Sequence, residues 1–299
     1  MYASGVAMWS AVVARAKAAS KETGRPVDQL VRQFLYERLL ARVFDGPDEP
    51  WVLKGGTALL VRVHDARHSK DVDLYARLDD VDDAVEQLRR ALDRDLGDFF
   101  RFEIAKVLIG GGTEEQPDVN GRKLTIVPYV GSRKLPGFKI DLVTGSLMTA
   151  DPDLHQAPAL VEVPGIPRPT YRLYPAVDHL ADKLCATEAL YSGEPSSRVR
   201  DLIDIVVIAR TQPVSLSALR TAIAGERTNR GLPERTTFDV PPRWEDLFPK
   251  TASATGWAAS MDFADAVDLA RRLLDPALAP ADGESVWDPA AGMWAPAGN

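Results

Sequence analysis

Gly55 and Gly56 stand before a short apolar run, and Asp71 and Asp73 follow it, with Arg67, Ser69 and Lys70 crowded in front of the acids. Two carboxylates two residues apart on an extended chain point to the same side. That is an economical way to hold Mg²⁺ or Mn²⁺, because hard cations take oxygen ligands and let substrate phosphates complete the shell. A third acid, Asp141, lies inside the apolar stretch Phe138-Lys-Ile-Asp-Leu-Val, where a bare carboxylate is costly unless paired or metal-bound. Asp71, Asp73 and Asp141 together would serve a two-metal, in-line attack at phosphorus. The glycine pair suits the other half of that chemistry. At a helix N-terminus, glycines let backbone N–H groups approach a triphosphate closely, and the helix dipole favours the anion. Arg67, Ser69 and Lys70 can add charge and hydrogen bonds to the same phosphates.

Each part alone has a plainer reading. Gly-Gly is usually a turn, Asp-x-Asp is often a solvated strand end, and an acid in a strand often marks an edge; the ordered set of three carries the weight. Cys185, the single cysteine, has no internal disulfide partner and reads as a small core residue.

The elements that must position these residues can be read from periodicity. From Pro26 to Phe44, apolar residues recur at three- and four-residue spacings, as on an amphipathic helix with proline in its first turn. Trp51 to Leu53, the glycine pair and Thr57 to Val63 read as strand or loop, tight turn and helix. Val72 and Leu74 alternate with the acids, the pattern of a strand. An acidic helical segment over 79–96 is followed by strand character at 101–108, 122–130 and 138–144, with a loop from 110 to 121. Six prolines between 151 and 175 read as a connector, which places a boundary between a unit over 1–150 and a second, mainly helical unit over 151–299. Helices are expected at 176–191, 198–210, 215–224 and 262–274. The Pro/Gly/Ala-rich tail is expected to be irregular, with Trp287 and Trp294 able to tack it to the body. The fold class expected is α+β.

With 45% hydrophobic and 26% charged residues in 299, the chain has the composition of an ordinary globular protein. No apolar run is long enough to span a bilayer, so no membrane partner and a cytoplasmic location are expected. The net charge of -7 argues at first against a phosphate-rich partner. However, residues 79–98 hold eight acids against three arginines, and 262–288 hold seven against two, which leaves room for local basic ground around Lys54, Arg62, Arg67, Lys70, Lys183, Arg198 and Arg200.

Leu53-Lys-Gly-Gly-Thr57, Arg67-x-Ser-x-Asp-x-Asp-Leu74 and Ile140-Asp-Leu142 resemble the DNA polymerase β-type nucleotidyltransferase superfamily, and specifically the AbiEii/AbiGii-type toxins with the MenT group. Leu180-Ala-Asp-Lys-Leu-Cys-Ala186, Arg200-Asp-Leu-Ile-Asp-Ile205 and the upstream Leu35-Tyr-Glu-Arg-Leu-Leu-Ala-Arg42 are similar to further motifs of that family. The resemblance spans about residues 26 to 210; residues 211–299 carry no motif recognised from it. It implies a polymerase β-type catalytic domain with a mixed sheet, followed by a mainly helical domain. It further implies that Asp71 and Asp73 bind metal, and that Asp141 joins the metals or acts as base toward the incoming hydroxyl. Ser69 and Gly55-Gly56, with Lys54, Thr57 and Arg67 beside them, would contact the triphosphate, Lys183 would reach nucleotide phosphate, and Asp201 would be the distal acid. The function so implied is transfer of a nucleoside monophosphate from an NTP to an RNA acceptor, the 3′ end of tRNA, blocking translation as a toxin held in check by a cognate antitoxin. The alternatives are the same chemistry on a small molecule, as in antibiotic-modifying enzymes, or on a protein side chain, and an NTP-binding module without catalysis.

Overall fold

Phe138–Thr144 alternates buried with more accessible positions along its whole length, as a strand does when one face is covered more deeply than the other. In the computed structural model, which describes residues 2–46, 49–63, 71–110, 119–156, 160–253, 261–279 and 283–297, it lies inside a mixed sheet. In chain order the first elements are α1 (Gly5–Thr23), α2 (Val27–Val43), β1 (Trp51–Leu53), α3 (Gly55–Arg62), β2 (Asp71–Ala76) and α4 (Val81–Leu92). Then come β3 (Phe100–Gly110), β4 (Asn120–Val130), β5 (Arg133–Lys134), β6 (Phe138–Thr144), β7 (Asp153–Gln156) and β8 (Thr170–Leu173). Among the described residues these strands form one sheet in the order β3-β4-β6-β2-β1-β8-β7, with β5 on β4. The β2–β6 and β1–β8 pairs are parallel and the others antiparallel.

The acidic segment is helix α4. Asp80 caps it by accepting the Asp82 and Asp83 amides, Asp82 and Asp83 occupy its first turn, and Arg89 and Arg90 its last, so the charges follow the helix dipole. Its apolar side, with α1 and α2, covers one sheet face around Met8, Phe34, Leu39, Leu88, Ile126 and Ile140. Arg38 and Arg42 are nevertheless buried on α2, because Asp98 receives both: Arg42 Nη2 donates to Asp98 Oδ1 at 2.6 Å and Arg38 Nε to Oδ2 at 2.9 Å. The Leu35-to-Arg42 motif thus ties α2 to the start of β3.

The second half contains α5 (Ala176–Glu188), a hairpin of β9 (Leu190–Tyr191) and β10 (Glu194–Pro195), α6 (Val199–Thr211), β11 (Val214–Ser215), α7 (Leu216–Arg230), α8 (Trp244–Ala252), α9 (Phe263–Leu278), β12 (Ser285–Asp288) and β13 (Met293–Pro296). Its helices enclose another core, which includes Leu184, Ile205, Phe248, Leu273 and Trp287. Short α3 joins the two cores: Ala58 and Val61 pack into the first, Leu59 and Leu60 into the second. Cys185 is fully buried, as its apolar context indicates. No helix among the described residues is long and apolar enough to cross a membrane.

The chain is α+β, as read, and the structure corrects four details. The proline-rich stretch is more than a connector, since β7 and β8 extend the main sheet; prolines flank the strands and leave them uninterrupted. The tail is not irregular: β12 pairs with β11 and β13, and buried Trp287 donates its indole N–H to the Ala209 carbonyl at 2.6 Å. Helices α1 and α8 were not anticipated, and Pro26 sits at the N-cap of α2 instead of inside its first turn.

Candidate active site

The turn between β1 and α3 is built for close approach. Gly55 has φ +59, and a side chain there would overlap the Asp73 carboxylate. Glycine alone meets both conditions, the left-handed backbone and the missing Cβ. The next amide, Gly56 N–H, donates to Asp73 Oδ2 at 3.0 Å. Buried Thr57 donates its hydroxyl to the Asp71 carbonyl at 2.9 Å, and Lys54 N–H donates to the Asp73 carbonyl at 2.9 Å. The glycine turn and the aspartate strand are therefore fastened together through the backbone.

Parallel pairing sets Asp73 of β2 directly beside Asp141 of β6, with Asp71 beside Lys139. Alternation then puts Asp71, Asp73 and Asp141 on one face of the sheet. On the far side of β6, Lys123 of β4 is in register with Asp141, and its Nζ stands 3.7 Å from Asp141 Oδ2. Burial raises the Asp141 pKa above the ordinary aspartate range; Lys123 opposes this and the nearby Asp71 charge adds to it. A carboxylate in that position gains from an added cation.

Facing these strands, α5, the β9–β10 hairpin, the start of α6 and the end of α7 form the other wall of a cleft of about 380 Å³. Lys54, Arg122, Lys123, Lys183, Arg198 and Arg230 line it against Asp73, Asp141 and Asp182, a basic surplus in a chain of net charge -7. Lys183 donates to Asp201 Oδ1 at 2.7 Å and lies 2.9 Å from Asp204 Oδ2. Burial works against its charge, but the two aspartates outweigh that and raise its pKa. Arg198 Nε donates to the second Asp201 oxygen at 2.6 Å. Asp182 pairs with Arg230 and lies 3.9 Å from Lys54 Nζ. Burial works to raise its pKa, but those two cations with Lys183 and Arg198 outweigh that and hold it well below the usual range.

Of the residues singled out from the sequence, the fold brings Lys54, Gly55, Gly56, Asp73, Asp141 and Lys183 into one cleft. Asp71 lies at the start of β2 on the same face, Thr57 is buried behind the turn, and Asp201 is buried beneath Lys183. Arg67, Ser69 and Lys70 lie outside the described residues. Asp182, Arg230, Lys123 and Tyr191 were missed as site residues; only the neighbouring Asp-Lys motif hinted at the first.

Carboxylate oxygens are the donor set that suits a hard divalent cation, and the raised pKa of Asp141 beside a second acid is consistent with one. Among the described residues, no group of three or more His, Cys, Asp and Glu side chains is gathered into a ligand set, since Asp73 is turned to the Gly56 amide and Asp141 toward Lys123.

The model of the AbiEii toxin family, the nucleotidyl transferases of type IV toxin–antitoxin systems, matches residues 38–279. The chain belongs to that family. Two solved structures resemble this AbiEii-family chain over most of its length. MenT4, a nucleotidyltransferase toxin from Mycobacterium tuberculosis, is 16% identical with a TM-score of 0.47, covering 88% of this chain and 97% of its own. JHP933 from Helicobacter pylori is 16% identical with a TM-score of 0.43, covering 82% and 93%. No curated protein matches. For an AbiEii nucleotidyltransferase, the matched residues include both walls of the cleft.

Proposed function

We propose that this cleft transfers a nucleoside monophosphate from an NTP to an RNA acceptor, the 3′ end of tRNA, and so blocks translation, with a cognate antitoxin as the restraining partner. The observation that carries the reading is the in-register Asp73–Asp141 pair beside the Gly55–Gly56 turn, facing a wall rich in lysine and arginine. Asp71, Asp73 and Asp141 would hold Mg²⁺ or Mn²⁺. When bound, the metal supplies charge neutralisation for the phosphates and for the attacking and leaving oxygens.

In this reading the turn from Lys54 to Gly56 takes the triphosphate through the Gly55 amide and the Lys54 ammonium. Lys183, Arg198 and Arg230 provide positive charge from the opposite wall, where pyrophosphate leaves. Asp201 is a positioning residue: one oxygen on Lys183 and the other on Arg198 hold both cations in place without touching the substrate. Charge aimed in advance at the place where it develops accelerates phosphoryl chemistry. Arg67 and Ser69 remain in the proposal on sequence alone.

The test is incubation of the purified chain with Mg²⁺, total tRNA and each α-labelled NTP, beside Asp73→Asn, with products resolved on a denaturing gel. Label on tRNA from the wild type alone supports the reading. Label on a small molecule or a protein in lysate, with none on RNA, would transfer the same site to another acceptor, and no label anywhere would leave a binding module.

A further inference from the structure

Among the described residues, the cleft is lined by one aromatic side chain, Tyr191. It sits on a tight two-residue hairpin. Tyr191 pairs with Glu194 across β9 and β10, and the two residues between them, Ser192 and Gly193, both have positive φ, 53 and 81, the type I′ turn that matches the twist of a two-residue hairpin. The Tyr191 hydroxyl donates inward to the Ala186 carbonyl of α5 at 3.3 Å, so the ring is anchored at its polar end and remains half-buried at the wall of the cleft. Around it the wall is charged: burial raises the Tyr191 pKa, Arg198 and Arg230 oppose this, and Asp201 and Asp182 add to it. A phosphate chain has use for every cation in this cleft and none for a fixed aromatic ring. A nucleobase does, because base–aromatic stacking needs only a flat, desolvated face and tolerates any base.

We propose that the Tyr191 ring is a stacking platform for a nucleobase, belonging either to the NTP or to the terminal nucleotide of the acceptor. The inference rests on the reading of the cleft as a nucleotidyl transfer site. It adds a residue outside the acidic and glycine motifs, on the hairpin between α5 and α6. The hydroxyl serves to orient the ring, and the ring makes the contact. Anchoring before binding reduces the ordering cost on complex formation.

The experiment compares wild type, Tyr191→Ala, Tyr191→Phe and the control Leu190→Ala, whose side chain is 57% exposed on the same hairpin. Affinities for each NTP and for inorganic tripolyphosphate, which lacks a base, are measured calorimetrically with Mg²⁺ present, and the acceptor KM is measured in the transfer assay. If the ring stacks the NTP base, Tyr191→Ala weakens NTP binding about 5- to 100-fold and leaves tripolyphosphate binding unchanged. Tyr191→Phe and Leu190→Ala should then stay close to wild type. If it stacks the acceptor base, NTP and tripolyphosphate affinities hold while the acceptor KM rises by a similar factor in Tyr191→Ala alone. Equal loss of NTP and tripolyphosphate binding would make Tyr191 a structural residue and overturn the platform, as would no change in any of the three measurements. Wild-type protein that binds neither NTP nor tripolyphosphate would overturn the transfer site itself, and the platform with it.

Discussion

On the helical wall of the cleft, Lys183 is 5% exposed and its two aspartates, Asp201 and Asp204, 2% and 0%, with contacts of 2.7 and 2.9 Å. On the sheet wall, the Asp141 side chain is 34% exposed and its lysine stands 3.7 Å away. Both walls carry opposite charges at close range, and they differ in what has been completed. The helical wall answers its charges internally, which satisfies the requirement that a buried ion be paired. The sheet wall leaves a partly desolvated carboxylate beside another acid, a cost that one lysine at 3.7 Å opposes. One wall is a preset field, the other keeps its carboxylates open to the cleft.

Removing Lys183 should therefore hurt stability most. Lys183→Met leaves Asp201 and Asp204 buried without their lysine and is expected to lower unfolding free energy by about 3–5 kcal/mol, read from urea unfolding. A loss well under ~1 kcal/mol would mean that the network behaves like a surface ion pair and would erase the contrast. Asp73→Asn should do the reverse, cutting transfer by about 10²–10³-fold while changing the melting temperature little; unaltered transfer would break the assignment of the sheet wall.

The junction of the two motifs offers a sharper comparison. Gly55→Ala forces a side chain into positive φ and onto the Asp73 carboxylate, so it should cost about 1–3 kcal/mol and also depress transfer. Gly24→Ala shares the positive φ, at +72, but meets nothing, and should cost stability alone. Equal transfer rates in the two variants would show that the close approach at Gly55 is without consequence.

The last comparison lies away from both walls and is read in its pH dependence. Burial pushes the Glu37 carboxyl up to about 8 against the opposing charges of Arg38 and Arg168. An acid whose pKa is raised by folding binds more protons folded than unfolded, so stability declines as pH rises through the interval between the two values. Glu37→Gln should match wild type below about pH 4, with its melting-temperature advantage growing from there and levelling off above about pH 8. A gap independent of pH would assign the effect to packing.

Much of the sheet wall was legible because its information is local. Alternation around Val72 and Leu74 places Asp71 and Asp73 on one face, and an acid inside Phe138–Thr144 announces itself against apolar neighbours. The register that sets Asp73 beside Asp141 was not legible, since strand pairing joins segments far apart in the chain. The helical wall was read only through likeness to a family: Lys183 and Asp201 have the local look of solvated helix residues, and only packing shows that they are buried against each other. Arg230 and Tyr191 carried no signal, one in the last turn of α7 and the other in a two-residue strand. In the tail, prolines and glycines hid the alternation of β12 and β13, and burial of Trp287 against Ala209 decided the matter.

By itself the sequence determined the groups at hand: carboxylates two residues apart, a glycine turn with the conformational freedom for close approach, and periodicities that assign each to its strand or helix. These depend on covalent geometry and on neighbours a few residues away. Only the tertiary structure decided which charges are already neutralised and which face the cleft, because desolvation and Coulomb interaction depend on distance through space, and that distance is set when the two cores pack on either side of α3.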